Sequence, residues 1–337
     1  MATIYQVSEL AGVSLATVSR VMNNSVNVSD KTKAKVQAAM DQLGYKPNSI
    51  AQSLASSRTN SVGVLVSEFA GPFFGSMMQG IETTLREAHK HVIIAAGHSE
   101  ETKEQEGIEF LISKKCDALI LHVEAVSNEY LLELSQGSTP IILVNRHIDA
   151  ISERCISLNN ELGGYLATKH LVEQGHKSFA YISGPERKCD SKDRFRGHQR
   201  ALAEAGLEQN PNLTFTGDFS EPSGADGMSY LLSQTTETNP AFTALVCAND
   251  IMASGAINVA REHHISIPDD VSIIGYDNVM FASYIYPKLS TINYPIYEMG
   301  SMAAKVVLQD IYKDKNCQVQ NIFMPEIIHR DSVKTIS

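Results

Sequence analysis

The sequence predicts an N-terminal all-α helix-turn-helix headpiece followed by a two-lobed α/β body of doubly wound parallel sheets. Three observations lead there. Two short capped helices flank a glycine turn between Thr3 and Val21, strand and helix patterns alternate from Ser61 onward, and a second such alternation starts near Gly163.

Thr3 opens the first helix, and Gln6 three residues on completes a capping box. Val7 and Leu10 supply its apolar stripe. Ala11-Gly12-Val13 makes the turn, with Gly12 free to take a positive φ. Ser14 caps a second helix that carries Ala16, Thr17, Ser19 and Arg20 on one side and Val18 and Val21 on the other. Such short polar side chains suit the DNA major groove, where bulk would hold the backbone away from the bases. An ordinary helical hairpin in a larger bundle is the alternative. Ser29 caps a third helix with Val36, Ala39, Met40 and Leu43 at core spacing; Gly44 ends it and Pro47 prevents its resumption. Residues 1–45 thus form the headpiece. Within 46–60, Asn48 to Ala55 is weakly helical and followed by the polar run Ser56 to Ser61: a hinge that orders only on a template, or a plain linker.

The body covers 61–337. Val62 to Val66 reads as a buried strand and Gly75 to Ala88 as a helix; His91 to Ala96 and Lys103 to Ser113 repeat the pair. Asp117 to His122, the helical stretch Asn128 to Ser135, and Pro140 to Val144 continue it. The second run has a helix ending at Gln174-Gly175-His176, the strand Phe179 to Ile182 and the helix Arg194 to Ala205. The strand Phe242 to Cys247, the helix Ile251 to His263 and the strand Val271 to Ile274 follow. This is the rhythm of parallel sheets covered by helices on both faces, and two such lobes imply a cleft.

Charge divides the chain in the same way. Residues 1–58 hold six Lys or Arg against three acids, near +3, which leaves the remainder near −13 of the total −10. The basic end attracts nucleic acid and the acidic body repels it. Six cations are few, so two headpieces on one duplex are expected. The five cysteines are scattered without a CxxC pair, which implies free thiols in a reducing compartment. With no signal peptide and no apolar run of membrane-spanning length, the expected location is the cytoplasm, with no membrane partner.

Ligands in open α/β sheets sit beyond the carboxyl ends of the strands. The polar residues there are Ser67-Glu68, His122, Asn145-Arg146, Asn249-Asp250 and Tyr276-Asp277-Asn278. A carboxylate at Asp277 and a guanidinium at Arg194, beside rings such as Phe73, Phe74 or Phe219, suit a sugar or another polyhydroxylated ligand. Turn chemistry or a helix cap is the alternative for Asp277, a surface ion pair with Asp190 or Asp193 for Arg194, and a satisfied edge histidine for His122. Enzyme motifs are missing: no GxGxxG, phosphate loop, nucleophile elbow, HExxH or zinc-ligand spacing occurs. No cofactor and no metal are expected; His263-His264 fits a helix C-terminus better than a metal site.

From Ala2 to about Val333 the chain resembles bacterial transcription regulators of the lactose/galactose repressor (LacI/GalR) family. The likeness is most specific in the run from Ala11 to Val21 with Asn23, and in Gly44-Tyr45-Lys46-Pro47-Asn48. Gly175-His176, Arg194 to Gly197, Ala248-Asn249-Asp250, Ile274 to Asn278 and Leu289 to Ile292 support it, and Leu143 to Arg146 reads like the galactose branch. The resemblance implies a body like a periplasmic binding protein, with a first lobe of about 61–160 plus a crossover near 290–320. The second lobe would be about 161–290 plus the C-terminal segment. It further implies a homodimer on double-stranded operator DNA; no long apolar heptad tail follows Arg330-Asp331-Ser332, which favours a dimer over a tail-bundled tetramer.

By this likeness Leu15 and Ala16 open the recognition helix and select bases, Thr17 and Ser19 contact the groove, and Arg20 and Asn23 serve base edges or backbone. Thr3, Tyr5, Ser14 and Asn48 complete the DNA-binding set. Ala51 and Leu54 would enter the minor groove, Leu54 as the apolar wedge. The effector would sit between Phe74, His122 and Arg146 of the first lobe and Arg194, Phe219, Asn249 and Asp277 of the second. Many members carry aspartate where Asn159 stands here. The expected function is a repressor of carbohydrate-metabolism genes, switched by a small sugar-like effector, and not an enzyme. A co-repressor-dependent regulator and a cytoplasmic sugar sensor or carrier are the alternatives.

Overall fold

A computed structural model describes residues 2–22, 28–45, 58–234, 240–314 and 318–336. The chain separates into two units, Met1–Asn60 and Ser61–Ser337.

The first unit holds α1 (Ile4–Ala11), α2 (Leu15–Met22) and α3 (Asp30–Leu43). Val7, Ala11, Val18, Val36, Ala39 and Met40 form its core, flanked by Val21 and Leu43. Thr3 and Gln6 make the reciprocal capping box, and Gly12 and Gly44 close α1 and α3 at φ 65° and 60°. Leu10 departs from the sequence expectation. It is exposed, because the buried face of α1 runs through Val7 and Ala11, one helical turn apart.

The second unit contains two six-stranded sheets. In the first, β11-β5-β4-β3-β1-β2 is the order of β1 (Ser61–Val66), β2 (His91–Ala96), β3 (Ala118–Leu121), β4 (Ile141–Val144), β5 (Cys155–Leu158) and β11 (Ile322–Phe323). All its pairings are parallel. Its strands read as continuous apolar runs because both faces are covered. Val62, Val64, Ile120 and Ile142 face α4 (Pro72–Glu87) and α11 (Ile296–Asp310). Leu65, Leu119, Leu121 and Leu143 face α5 (Glu101–Ser113) and α6 (Asn128–Ser135).

The second sheet has the order β12-β10-β9-β8-β6-β7. Its strands are β6 (Phe179–Ser183), β7 (Thr214–Thr216), β8 (Ala244–Cys247), β9 (Ser272–Asp277), β10 (Ser290–Asn293) and β12 (Glu326–Ile328). Only β12 runs antiparallel to its neighbour. The helices α7 (Asn160–Glu173) and α8 (Cys189–Glu204) cover one face, and α9 (Glu221–Ser233) and α10 (Asp250–Glu262) the other. Close backbone approach requires glycine where α7 meets α8: a Cβ on Gly164 would lie 2.0 Å from the Arg194 carbonyl oxygen. That contact seats Arg194 on α7.

The chain passes between lobes at 158–160, 293–296 and 323–326. Ser290–Asn293 still pairs within the second sheet, so the segment that returns to the first lobe is 296–323.

Candidate functional site

In the headpiece, the Ser14 hydroxyl accepts the Thr17 N–H at 3.2 Å and lies 2.9 Å from the Thr17 hydroxyl, which fixes the start of α2. Leu15, Ala16, Ser19 and Arg20 are exposed while Val18 enters the core. The exposed set is therefore one side of α2, with Tyr5 exposed on α1 and Thr17 half-buried. Asn23, Asn48, Ala51 and Leu54 lie outside the described residues.

In the body, the topology dictates where a cavity opens. The first sheet reverses its winding between β1 and β3, whose carboxyl ends lead into Ser67 and His122; the second reverses between β6 and β8, which lead into Gly184 and Asn249. A cavity of about 450 Å³ lies between these ends. Six of the seven expected effector residues line it: Phe74, His122, Arg194, Phe219, Asn249 and Asp277.

Arg146 is the exception. Its Nε and Nη2 donate to Asn128 Oδ1 at 3.1 and 2.7 Å, and it does not line the cavity. The backbone turns left-handed at Asn145, φ 60°, and it is the Asn145 side chain that lines the cavity.

Arg194 anchors the second-lobe wall and is only 3% exposed. Its Nε donates to Asn160 Oδ1 at 3.0 Å and its Nη1 to the Ala248 carbonyl at 2.6 Å. Nη1 also lies 3.5 Å from Asp277 Oδ1, and Nη2 lies 3.8 Å from Asp190. The guanidinium covers the Tyr276 ring at 3.8 Å from the centroid. Burial works against its charge, but Asp277 and the other surrounding groups outweigh burial and hold it protonated. Asp193, the other partner considered for Arg194, instead binds Arg196.

Burial pushes the Asp277 carboxyl up to about 7 against the pull of Arg194. Its backbone stands at φ 107°, a conformation a side-chain-bearing residue adopts only under constraint. That constraint comes from below. Buried Asp250 accepts the Val279 N–H at 2.9 Å and the Thr291 hydroxyl at 2.5 Å, tying down the turn after β9. Asn249 caps α10 through the Met252 N–H at 2.8 Å and donates to the Phe219 carbonyl at 3.0 Å.

On the opposite wall, His122 is buried and burial lowers its pKa, so the imidazole is neutral near pH 7. Its Nδ1 lies 3.1 Å from the Ser67 hydroxyl, while Nε2 has no protein partner. Buried polar atoms are rarely left so, and this one belongs to a residue lining the cavity. Phe73 and Phe74 meet the imidazole edge-on, with centroids at 6.3 and 5.3 Å.

Reading the sequence alone missed Glu124, Lys188 and Asp190, which also line the cavity. Glu124 just follows a strand end, a signal available in the sequence; Lys188 and Asp190 sit at the start of α8, which begins earlier than its apolar pattern. Among the described residues no group of three or more His, Cys, Asp or Glu could hold a metal ion, and no helix is long and apolar enough to cross a membrane.

The family model of bacterial regulatory proteins, lacI family, matches residues 3–48, and that of a periplasmic binding protein-like domain matches 168–333. The HTH-type transcriptional regulator GalR of Escherichia coli is 37% identical over 337 residues, covering 100% of this chain and 97% of its own. Among solved structures, the lac repressor dimer bound to operator and the anti-inducer ONPF aligns with a TM-score of 0.85 at 27% identity, over 99% of each chain. The transcriptional regulator CelR–cellobiose complex aligns at 0.70 and 29% identity, over 98% of this chain and 100% of the other.

Proposed function

The chain belongs to the lacI family of bacterial regulatory proteins and is a DNA-binding transcriptional regulator, not an enzyme; from that premise we propose that it represses carbohydrate-metabolism genes in the cytoplasm under control of a sugar-like effector. Leu15, Ala16, Thr17 and Ser19 of α2 read operator bases in the major groove, and Arg20 holds the phosphate backbone beside them. Residues Asn48, Ala51 and Leu54 serve the adjoining minor groove, by the family likeness.

The effector half rests on one observation above the others. The buried Arg194–Asp277 pair and the unpartnered His122 Nε2 face a single cavity whose walls also carry Phe73, Phe74 and Phe219. Charged and neutral hydrogen-bonding groups converging among aromatic rings match the hydroxyls and C–H faces of a sugar. The volume falls in the range of small-molecule sites, roughly 300–1,000 Å³. The solved CelR relative is a cellobiose complex.

The regulator acts as a homodimer, as the related lac repressor is a dimer on its operator. Two headpieces would double the few phosphate contacts one can make. Met280, Tyr284 and Tyr286 on the second lobe are strongly exposed, Ile94 on the edge strand β2 is exposed to a lesser degree, and they supply apolar surface for a second copy.

Effector binding favours one arrangement of the two lobes, and that preference is coupled to DNA affinity by its differential binding free energy alone. A thermal-shift screen of the full chain against a sugar panel tests this reading. A stabilising sugar whose effect disappears in Asp277→Ala, with operator binding retained, supports it; an Asp277→Ala variant that responds normally refutes the cleft as the effector site.

A further inference from the structure

We propose that Glu124 is a specificity-determining residue of the cleft: it occupies the Lys188 ammonium, so that the site admits uncharged sugars and rejects their phosphate esters. This rests on the sugar-binding reading above and narrows its ligand class.

Glu124 belongs to the first lobe and Lys188 to the second. Lys188 Nζ lies 2.8 Å from Glu124 Oε2, and the side chains are 15% and 14% exposed, so the pair is largely withdrawn from water and spans the cleft. Such a pair is harder to break than a surface ion pair, because separation leaves a poorly solvated charge behind.

Glu124 is held in place for this contact. The Ser99 hydroxyl donates to it, and its loop is fastened from beneath by fully buried Glu104. The Glu104 carboxylate accepts the N–H groups of Glu124, Ala125 and Val126 at 2.8, 2.9 and 2.9 Å. Two further contacts join the same edges of the lobes: Arg187 Nη1 donates to the Ser99 carbonyl at 3.2 Å, and Asn145 Nδ2 to Asp190 Oδ2 at 3.5 Å.

The remaining charges give the pair its consequence. Among the described lining residues the only Lys and Arg are Lys188 and Arg194. Arg194 is committed to Asn160, Ala248, Asp190 and Asp277. Lys188 is therefore the one cation from which a phosphate could be held, and Glu124 neutralises it. Glu68, Asp190, Asp218 and Glu221 add negative charge to the same walls. A phosphate dianion meets repulsion with no unpaired cation to offset it, whereas a neutral sugar keeps its hydroxyl contacts. Rejection by an unfavourable charge is a recognised route to selectivity.

Isothermal titration of the full chain tests this at constant ionic strength, with inorganic phosphate, a panel of hexoses and their 6-phosphates as probes. Wild type binds a hexose at least tenfold more tightly than its 6-phosphate and shows no site-specific heat with inorganic phosphate. Glu124→Gln, with Glu124→Ala as second variant should the first fail to fold, gains phosphate binding at least tenfold, and adding Lys188→Met removes the gain. Either variant binding phosphate no better than wild type overturns the proposal, as does a gain that survives Lys188→Met. A phosphate gain with no hexose bound by any protein removes the sugar reading and leaves the role of Glu124 standing. Hexose binding without the gain does the reverse.

Discussion

Asp277 Oδ1 lies 3.5 Å from Arg194 Nη1, a carboxylate and a guanidinium buried together in one wall of the cleft. The pair joins the strained carboxyl end of β9 to the first turns of α8. Asp277 lines the cavity, and burial makes any ligand hydroxyl bond to it stronger than it would be in water.

The first prediction concerns pH. Asp277 keeps its proton to about 7 in the folded chain, while an unfolded aspartate releases it near about 3.9. Between those values the native state binds more protons, so the contribution of this group to stability falls as pH rises across the window. Ligand affinity runs the other way. Sugar hydroxyls donate to the ionised carboxylate, so affinity is full above pH 7 and falls by about tenfold per unit below it. Titrations between pH 6 and 8.5 check this, with a flat profile expected for Asp277→Asn.

Gly184→Ala alters the aromatic wall. A Cβ there would lie 2.2 Å from the Phe219 ring, whose own backbone is held at φ 74°. The ring must move or the strand end must shift, at a cost of about 1–3 kcal/mol in stability. Denaturant unfolding measures the loss, and sugar affinity falls with it.

Thr3→Ala removes the hydroxyl that accepts the Gln6 N–H in the capping box that starts α1, and leaves the backbone N–H of residue 3 donating to Gln6 Oε1. A loss of about 1 kcal/mol is expected, confined to the headpiece. Hydrogen exchange of α1 to α3 should accelerate while the body sheets keep wild-type protection.

Arg20→Ala and Thr17→Ala separate the two ways α2 engages DNA. Removing a cation lowers the salt dependence of binding and weakens it on specific and random sequences alike. Thr17→Ala weakens only specific binding, by about 1–3 kcal/mol if its groove contact is to a base. Fluorescence anisotropy over a salt series distinguishes them.

Much of this organisation was legible in the sequence because its signals are local. Thr3 with Gln6, Gly12, Ser29 and Gly44 each act within a few residues, and all four marked real helix ends. The long apolar runs at Val62, Phe179 and Ile273 likewise declared buried strands. Short strands such as Thr214–Thr216 and Ile322–Phe323 carry too few residues to show a period, and α9, with Pro222, Gly224 and Gly227, has weak helix chemistry. Leu10 lies on the exposed side of α1 because a helix of eight residues fits two apolar registers, and Val7 with Ala11 is the one buried. Arg146 and Asn145 illustrate a different limit, since adjacent side chains diverge according to a backbone turn that composition does not reveal. The Glu124–Lys188 pair depends on how two lobes meet, which no local pattern encodes.

Coupling between the cleft and the DNA-binding surface is most directly measured by operator affinity at increasing effector concentration. Genomic fragments are first screened for retardation by the purified chain, and the retained fragment is titrated with and without the stabilising sugar. A shift of about 5–150-fold in affinity, abolished by Asp277→Ala, is the predicted result. A chain that retains no fragment, or whose affinity is identical with the cleft empty and saturated, would contradict regulation through this site.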